Sequence, residues 1–364
     1  MEILTRFEDE VNTVRQFPAP YNSVESIPDE LKGKFAYRLE NMNETERQAL
    51  TRDELMTIEI DYSNMQRWYY HVKEHTPESI FIYLSLSELK EIRNKQKMCM
   101  IRGWNTKDYD DLISIEEKLK AYFPDEPIES ISDKLGHYFF KMSSNSPKDI
   151  RDAPCYDETI QYYRSLCNSK GQYRKMCVHS PREVIYSMCN SERLYATMRD
   201  RPLGHYIVLR KWLDSNPDME FRCFVYRGKI TAISQYHSQT FYRFTEELSR
   251  ECGRKILNFW NIIGKDFITK TRVDSWVMDV VILNKSEKTY PDGPIGSILN
   301  SDVKIIEFNG FGSHLITGSA QYCWKRDLSL IYRTDDVVTL RHLVDRESAE
   351  NQEKTKYLIQ QIIL

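Results

Sequence analysis

The sequence predicts an α+β fold, and three observations carry that prediction. Helical patterns dominate up to about residue 200, after which strand-like runs begin at His205 to Trp212 and Met219 to Tyr226. Arg227-Gly228 is a tight-turn signal that would bring the chain back as an antiparallel partner over Lys229 to Gln235. A long amphipathic stretch follows, with Phe244, Leu248, Cys252, Ile256, Phe259, Trp260 and Ile263 near helical spacing. Two more strands come after it, at Asp274 to Leu283 and Val303 to Asn309. That order describes antiparallel sheet with helices on one face.

Composition supports a packed chain. The 364 residues, 41% hydrophobic and 12% aromatic, suffice for one large or two ordinary domains and exclude an intrinsically disordered tail. With 51 Lys and Arg against 54 Asp and Glu, the net charge of −3 argues against a surface that traps nucleic acid by its total charge. No run approaches eighteen apolar residues, and Met1 to Glu8 has neither a basic start nor an apolar run, so neither a membrane span nor a signal peptide is expected. The eight cysteines include no pair at the two-residue gap of a zinc turn. Several lie among apolar neighbours, as Cys223 does, and read as free thiols in a cytoplasmic protein. The 13 glycines are about half the usual ~7% share. Neither a Walker A loop nor a dinucleotide fingerprint occurs, so a nucleotide site must use side chains or widely separated glycines.

In chain order, residues 1–105 read as a mostly helical region of unknown role. Thr51 with Glu54, and Ser85 with Glu88, have capping-box spacing. The aromatic-rich segment Asp61 to His75 should pack against the main body, because its rings do not alternate with a basic stripe. Residues 106–203 form a second region, with a soft boundary near Trp104 to Pro127. It begins with a helix at Asn105 to Tyr122, stopped by Phe123-Pro124, and continues with a strand-like run from Gly136 to Met142 and a polar loop from Ser143 to Asp149. Helices follow at Asp157 to Cys167, Pro181 to Cys189 and Glu192 to Met198. Residues 204–330 hold the hairpin, the long helix and the last strand pair, and 331–364 form a partly helical tail.

The chemistry concentrates on the strands. Asp279 stands alone among apolar neighbours from Trp276 to Leu283 and needs a cation. Glu307 and Asn309, two apart on a strand, point to one face. Hard oxygen donors of this kind suit magnesium, with ATP as the bridging ligand, and a salt bridge to Arg or Lys would satisfy the carboxylates equally well. Glu220 and Arg222 share one face of their strand, toward a cleft or solvent, while Met219, Phe221, Cys223 and Val225 share the other. Arg210, Lys211 and Trp212 end a buried strand, where they would meet an adenine and its phosphates or simply emerge into water. Lys141 is either a point charge for a phosphate or a snorkelling strand-end lysine.

Taken in order, the segments Phe140 to Asp149, Val208 to Trp212, Met219-Glu-Phe-Arg-Cys-Phe-Val225 with Ile233-Ser-Gln235, Met278-Asp279-Val and Ile306 to Gly312 resemble the cell division cycle protein 123 family. The likeness spans about residues 138–328. It implies an ATP-grasp fold, with 106–203 and 204–330 as the N-terminal and C-terminal grasp subdomains, and a role as an ATP-binding chaperone that assembles translation initiation factor two through its gamma subunit. By motif position, Lys141 and the Ser143 to Asn145 loop would contact phosphates, and Arg210, Lys211 and Trp212 would form the adenine hinge. Glu220 and Arg222 would face the nucleotide, and Asp279, Glu307 and Asn309 would hold magnesium. The chain departs from the family pattern at Glu307, one methylene longer than the usual Asp, at Tyr236-His237 in place of Arg-Asp, and at Gly310 in place of Pro. Such divergence suits a member from a cell or from an infectious agent acting on a host's translation machinery.

Two other functions compete. An ATP-grasp ligase would form an amide through an acyl phosphate. An RNA-binding or RNA-end-joining protein would use the Arg and Tyr side chains around Tyr156 to Arg174 and Arg193 to Arg201, although such runs are usually solvated helix faces. No Gly-x-Ser-x-Gly elbow or nucleophile triad is evident. Neither nucleic acid nor membrane is expected as a partner.

Overall fold

The computed structural model describes residues 63–102, 110–123, 138–150, 177–200, 205–213, 215, 219–236, 245–271, 273–283, 301–312, 317–344 and 358–364. The Thr51–Glu54 box, the Asp157 to Cys167 helix and His237 lie outside the described residues. The strands are β1 Ser79–Tyr83, β2 Tyr138–Met142, β3 Cys177–Val178, β4 Tyr206–Lys211, β5 Glu220–Tyr226, β6 Lys229–Gln235, β7 Trp276–Leu283, β8 Asp302–Asn309, β9 Thr339–Val344 and β10 Leu358–Ile363. The α-helices are α1 Met65–Trp68, α2 Leu86–Ile101, α3 Ile113–Lys120, α4 Pro181–Cys189, α5 Glu192–Asp200, α6 Glu246–Thr271 and α7 Leu328–Ile331. The chain divides into an inserted unit, Pro77–Leu213, and a discontinuous unit, Met1–Thr76 with Asp214–Leu364.

In the inserted unit an antiparallel sheet of order β1-β4-β2-β3 carries helices on one face. Helix α2 starts with a complete capping box: the Ser85 amide donates to Glu88 Oε2 at 2.7 Å, and the Glu88 amide to Ser85 Oγ at 3.3 Å. Helix α4 starts at Ser180, whose hydroxyl accepts from the Glu183 amide, with Pro181 in the first turn where its missing N–H costs nothing. Phe140, Met142, Ile207 and Leu209 point from the sheet into a core closed by Ile92, Ile115, Ile185 and Met188. The period of two then puts Phe139, Lys141, Val208 and Arg210 on the opposite face. Residues 79–101, read from the sequence as part of the N-terminal region, supply β1 and α2 of this unit. The five-residue β1 carries no local mark of the sheet it joins, and its pairing with β4 spans more than a hundred residues.

The discontinuous unit is built on a six-stranded sheet of order β10-β9-β6-β5-β7-β8. Its hairpin turns at Arg227 (φ 48°) and Gly228 (φ 82°), the positive-φ pair that matches strand twist in a two-residue turn. Helix α6 covers one face, where Phe267 stacks on Phe308 at 4.4 Å between ring centroids, with Trp276 and Trp68 edge-on to Phe308 at 5.3 Å. Trp68 is thus packed, as expected of the aromatic-rich segment. Phe224, Tyr226, Phe311, Tyr322 and Trp324 form a second core cluster on the other face. The pairing is antiparallel except between β6 and β9, which run parallel. Of residues 331–364, expected to form a partly helical tail, the described ones supply β9 and β10, which extend the sheet beyond β6. No helix among the described residues is long and apolar enough to cross a membrane. The six described cysteines are free thiols.

Candidate functional site

Strand register assembles the site in the discontinuous unit. Arg222 on β5 lies opposite Asp279 on β7, which lies opposite Glu307 on β8, and Asn309 follows two residues along the same face. The face is the one turned from α6. Arg222 and Asp279, 7% and 4% exposed, form a bidentate pair: Nε donates to Oδ1 at 2.8 Å and Nη2 to Oδ2 at 2.7 Å. The cation that lone Asp279 required is therefore Arg222, the salt-bridge alternative read from the sequence. Arg222 Nη1 donates to the Gly318 carbonyl, and the Tyr236 ring lies 4.8 Å from the guanidinium. Burial works against the Arg222 charge, but the Asp279 carboxylate outweighs it and, with Tyr236 and Glu307, raises the guanidinium above its usual range.

Asp279, Glu307 and Asn309 carry oxygen atoms of the hard kind that a dication such as magnesium prefers. Asn309 Nδ2 donates to Asp279 Oδ2 at 3.3 Å, which turns the amide oxygen away from that carboxylate. Arg222 and Asn309 together occupy three of the roughly four acceptor positions on Asp279. One remains on Oδ1, enough for monodentate ligation, with Glu307 directly across the strand pair.

Other members of the set sit nearby. Glu220 is two residues before Arg222 on the same face and half-buried, and its carbonyl accepts from the Tyr236 amide at 2.8 Å. The Gly310 carbonyl accepts from Thr317 Oγ1 at 2.9 Å, which ties β8's end to the segment carrying Gly318. Sequence reading missed Gly318: a Cβ there would stand 3.1 Å from Arg222 Nη1, so the close carbonyl approach favours glycine. The signal available was only one glycine within Thr317-Gly-Ser.

In the inserted unit, Lys141 and Arg210 are 2% and 4% exposed and share the face of the sheet opposite the core that Ile92, Ile115, Ile185 and Met188 close. Lys141 does not snorkel; it lies inside β2. Lys211 is exposed at the end of β4, and Trp212 lies 6.4 Å from Phe139 between ring centroids. The Ser143 hydroxyl accepts from the Tyr206 amide at 3.0 Å, continuing the β2–β4 ladder. Asn145 donates to Thr197 Oγ1 at 2.7 Å and accepts from Arg193 Nη2 at 3.3 Å. Both side chains hold the loop to β4 and α5. Asp149 adds to this by accepting from Ser191 Oγ and the Arg193 amide at the start of α5.

The D123 family model matches residues 178–362, just over half of the chain. The chain belongs to the D123 family. That D123 region contains the whole row from Arg222 to Asn309, whereas Lys141, Ser143 and Asn145 precede it. Among relatives, a CDC123-like protein of Acanthamoeba polyphaga mimivirus is 24% identical over 256 residues, 64% of this chain and 72% of the relative. The translation initiation factor eIF2 assembly protein of Dictyostelium discoideum is 28% identical over 140 residues, 38% of this chain and 35% of the relative. Cell division cycle protein 123 of Yarrowia lipolytica is 26% identical over 185 residues, 50% of this chain and 45% of the relative. The solved structure of Cdc123 from Schizosaccharomyces pombe aligns with a TM-score of 0.50 at 16% identity, covering 76% of this chain and 93% of that one. The fold is thus the α+β, ATP-grasp-like class that the sequence predicts.

Proposed function

We propose that this D123 member is a cytoplasmic assembly chaperone for translation initiation factor two, which binds ATP with magnesium and engages the factor's gamma subunit. The observation that carries the nucleotide reading is the Arg222–Asp279–Glu307–Asn309 row, which brings two carboxylates and an amide to one face of adjacent strands inside the family-matched region. The assembly role is supported by relatives named eIF2 assembly proteins in Dictyostelium discoideum and Xenopus laevis.

In this reading Asp279, Glu307 and Asn309 hold magnesium, whose chemistry is to neutralise phosphate oxygens. Within the inserted unit, the family resemblance assigns the buried Lys141 and Arg210 to phosphates and Trp212 with Lys211 to adenine. Ser143 and Asn145 act by fixing the loop, since their side chains are engaged with β4 and α5. Glu220, half-buried on the same face of β5 as Arg222, faces the nucleotide.

The test is reconstitution of the factor from its purified subunits, with and without the chain and magnesium-ATP. The expected result is faster trimer formation that needs both, without stoichiometric ADP release. Failure of the chain to bind the gamma subunit in pull-down would overturn the chaperone reading, and ADP release dependent on an amine acceptor would replace it with a ligase.

A further inference from the structure

Arg222 meets the carboxylate row as a cation built into the protein. Both Asp279 oxygens and the Gly318 carbonyl accept from it, leaving two of its five N–H donors, and Tyr236 covers the guanidinium. Such a fork is fixed in one orientation. The row's own side chains, two carboxylates and one guanidinium, then carry a single net negative charge.

A divalent cation approaching Asp279 meets the Arg222 charge on the same carboxylate. Magnesium gives up its waters reluctantly, and sites with one or two carboxylates commonly hold it with help from substrate phosphates. We propose that Arg222 is a counter-ion that stops the Asp279–Glu307 pair from taking a divalent cation alone, so that the site accepts the metal only together with a polyphosphate. The second half of this statement rests on the magnesium-ATP reading above; the first does not. A polyphosphate brings the negative charge that offsets the guanidinium, so metal and nucleotide enter as one ligand. Tyr236 and Gly318 are the positioning residues: the ring blocks the guanidinium from swinging out, and the missing Cβ lets the carbonyl hold Nη1.

The experiment titrates manganese(II) into the full chain without nucleotide, following the free ion by electron paramagnetic resonance, and repeats the titration with ATP. The variants are Arg222→Gln, Arg222→Met and Arg222→Lys. Arg222→Gln and Arg222→Met both remove the counter-ion, the first keeping a polar side chain and the second an apolar one of similar length. Each should bind manganese about tenfold or more tighter than the parent, whereas Arg222→Lys, which keeps the charge, should stay near it. Circular dichroism checks each fold, and should Arg222→Gln not fold, Arg222→Met decides. Parent chain that binds free manganese as tightly as these variants, or no gain in a folded variant, overturns the counter-ion. Parent chain that binds no manganese-ATP overturns the polyphosphate clause and the ATP reading together, while the variants still decide the counter-ion.

Discussion

At the scale of single residues, Arg222 and Asp279 are worth more as a pair than as parts. Taking two charges out of water is costly, and their mutual attraction offsets this only with complete hydrogen bonding, which the fork and the Gly318 carbonyl provide. Arg222→Ala leaves a buried carboxylate uncompensated and should cost about 3–5 kcal/mol in urea unfolding. The double change Arg222→Met with Asp279→Leu should be more stable than either single change; a double mutant as unstable as the sum would mean the residues are not coupled. A second pair has a pH signature. Burial pushes the Asp327 carboxyl up, but the Arg341 fork, at 2.7 and 2.8 Å, and the Cys323 amide outweigh it and hold it below the usual carboxylate range. A depressed carboxylate contributes stability above its unfolded pKa and loses it as pH falls through the folded value. The stability gap between the parent and Arg341→Ala should therefore be full at neutral pH and close as pH drops below about 4. A gap independent of pH would contradict the ion pair. The residue scale was also where the sequence left choices open: lone Asp279 demanded a cation, but only strand register could select Arg222, fifty-seven positions away, over a metal alone.

At the scale of elements, the hairpin and the helix that backs it were the most legible parts. Arg227-Gly228 announced the turn because few residues tolerate positive φ, and the 3.6-residue spacing from Leu248 to Ile263 announced α6. Gly228→Ala meets both an unfavourable φ and Ile268 Cδ1 at 3.2 Å, and should destabilise the protein by about 1–3 kcal/mol in thermal or urea unfolding. Gly264→Ala should also destabilise, since its Cβ would stand 2.5 Å from the Trp260 ring, whose Nε1 donates to the Gly228 carbonyl at 2.9 Å. Unchanged stability in either variant would show that the packing there relaxes freely. The strands β1, β9 and β10 were not legible. Each is short: β1 pairs with a strand more than a hundred residues away, β9 runs parallel to β6, and thirteen residues rather than a tight turn separate β9 from β10, so neither turn chemistry nor periodicity marks the pairing.

For the molecule as a whole, each unit keeps its own core, and the candidate residues are distributed between them: Lys141 and Arg210 in the inserted unit, Arg222, Asp279, Glu307 and Asn309 in the discontinuous unit. Buried charges were legible where they interrupt apolar strands, as at Lys141 and Asp279, because a buried charge needs a partner. The contacts of Ser143 and Asn145 with β4 and α5 were not, since a polar loop reads alike whether it grips a ligand or its own fold. The proposed function requires magnesium-dependent ATP binding at the β5–β7–β8 row. Calorimetry of ATP with and without magnesium, on the parent and on Asn309→Ala, which removes an oxygen donor without orphaning Arg222, addresses it directly. The expected result is binding that requires magnesium and weakens about tenfold or more in Asn309→Ala. Equal affinity with and without magnesium, or an Asn309→Ala variant that binds like the parent, would contradict it.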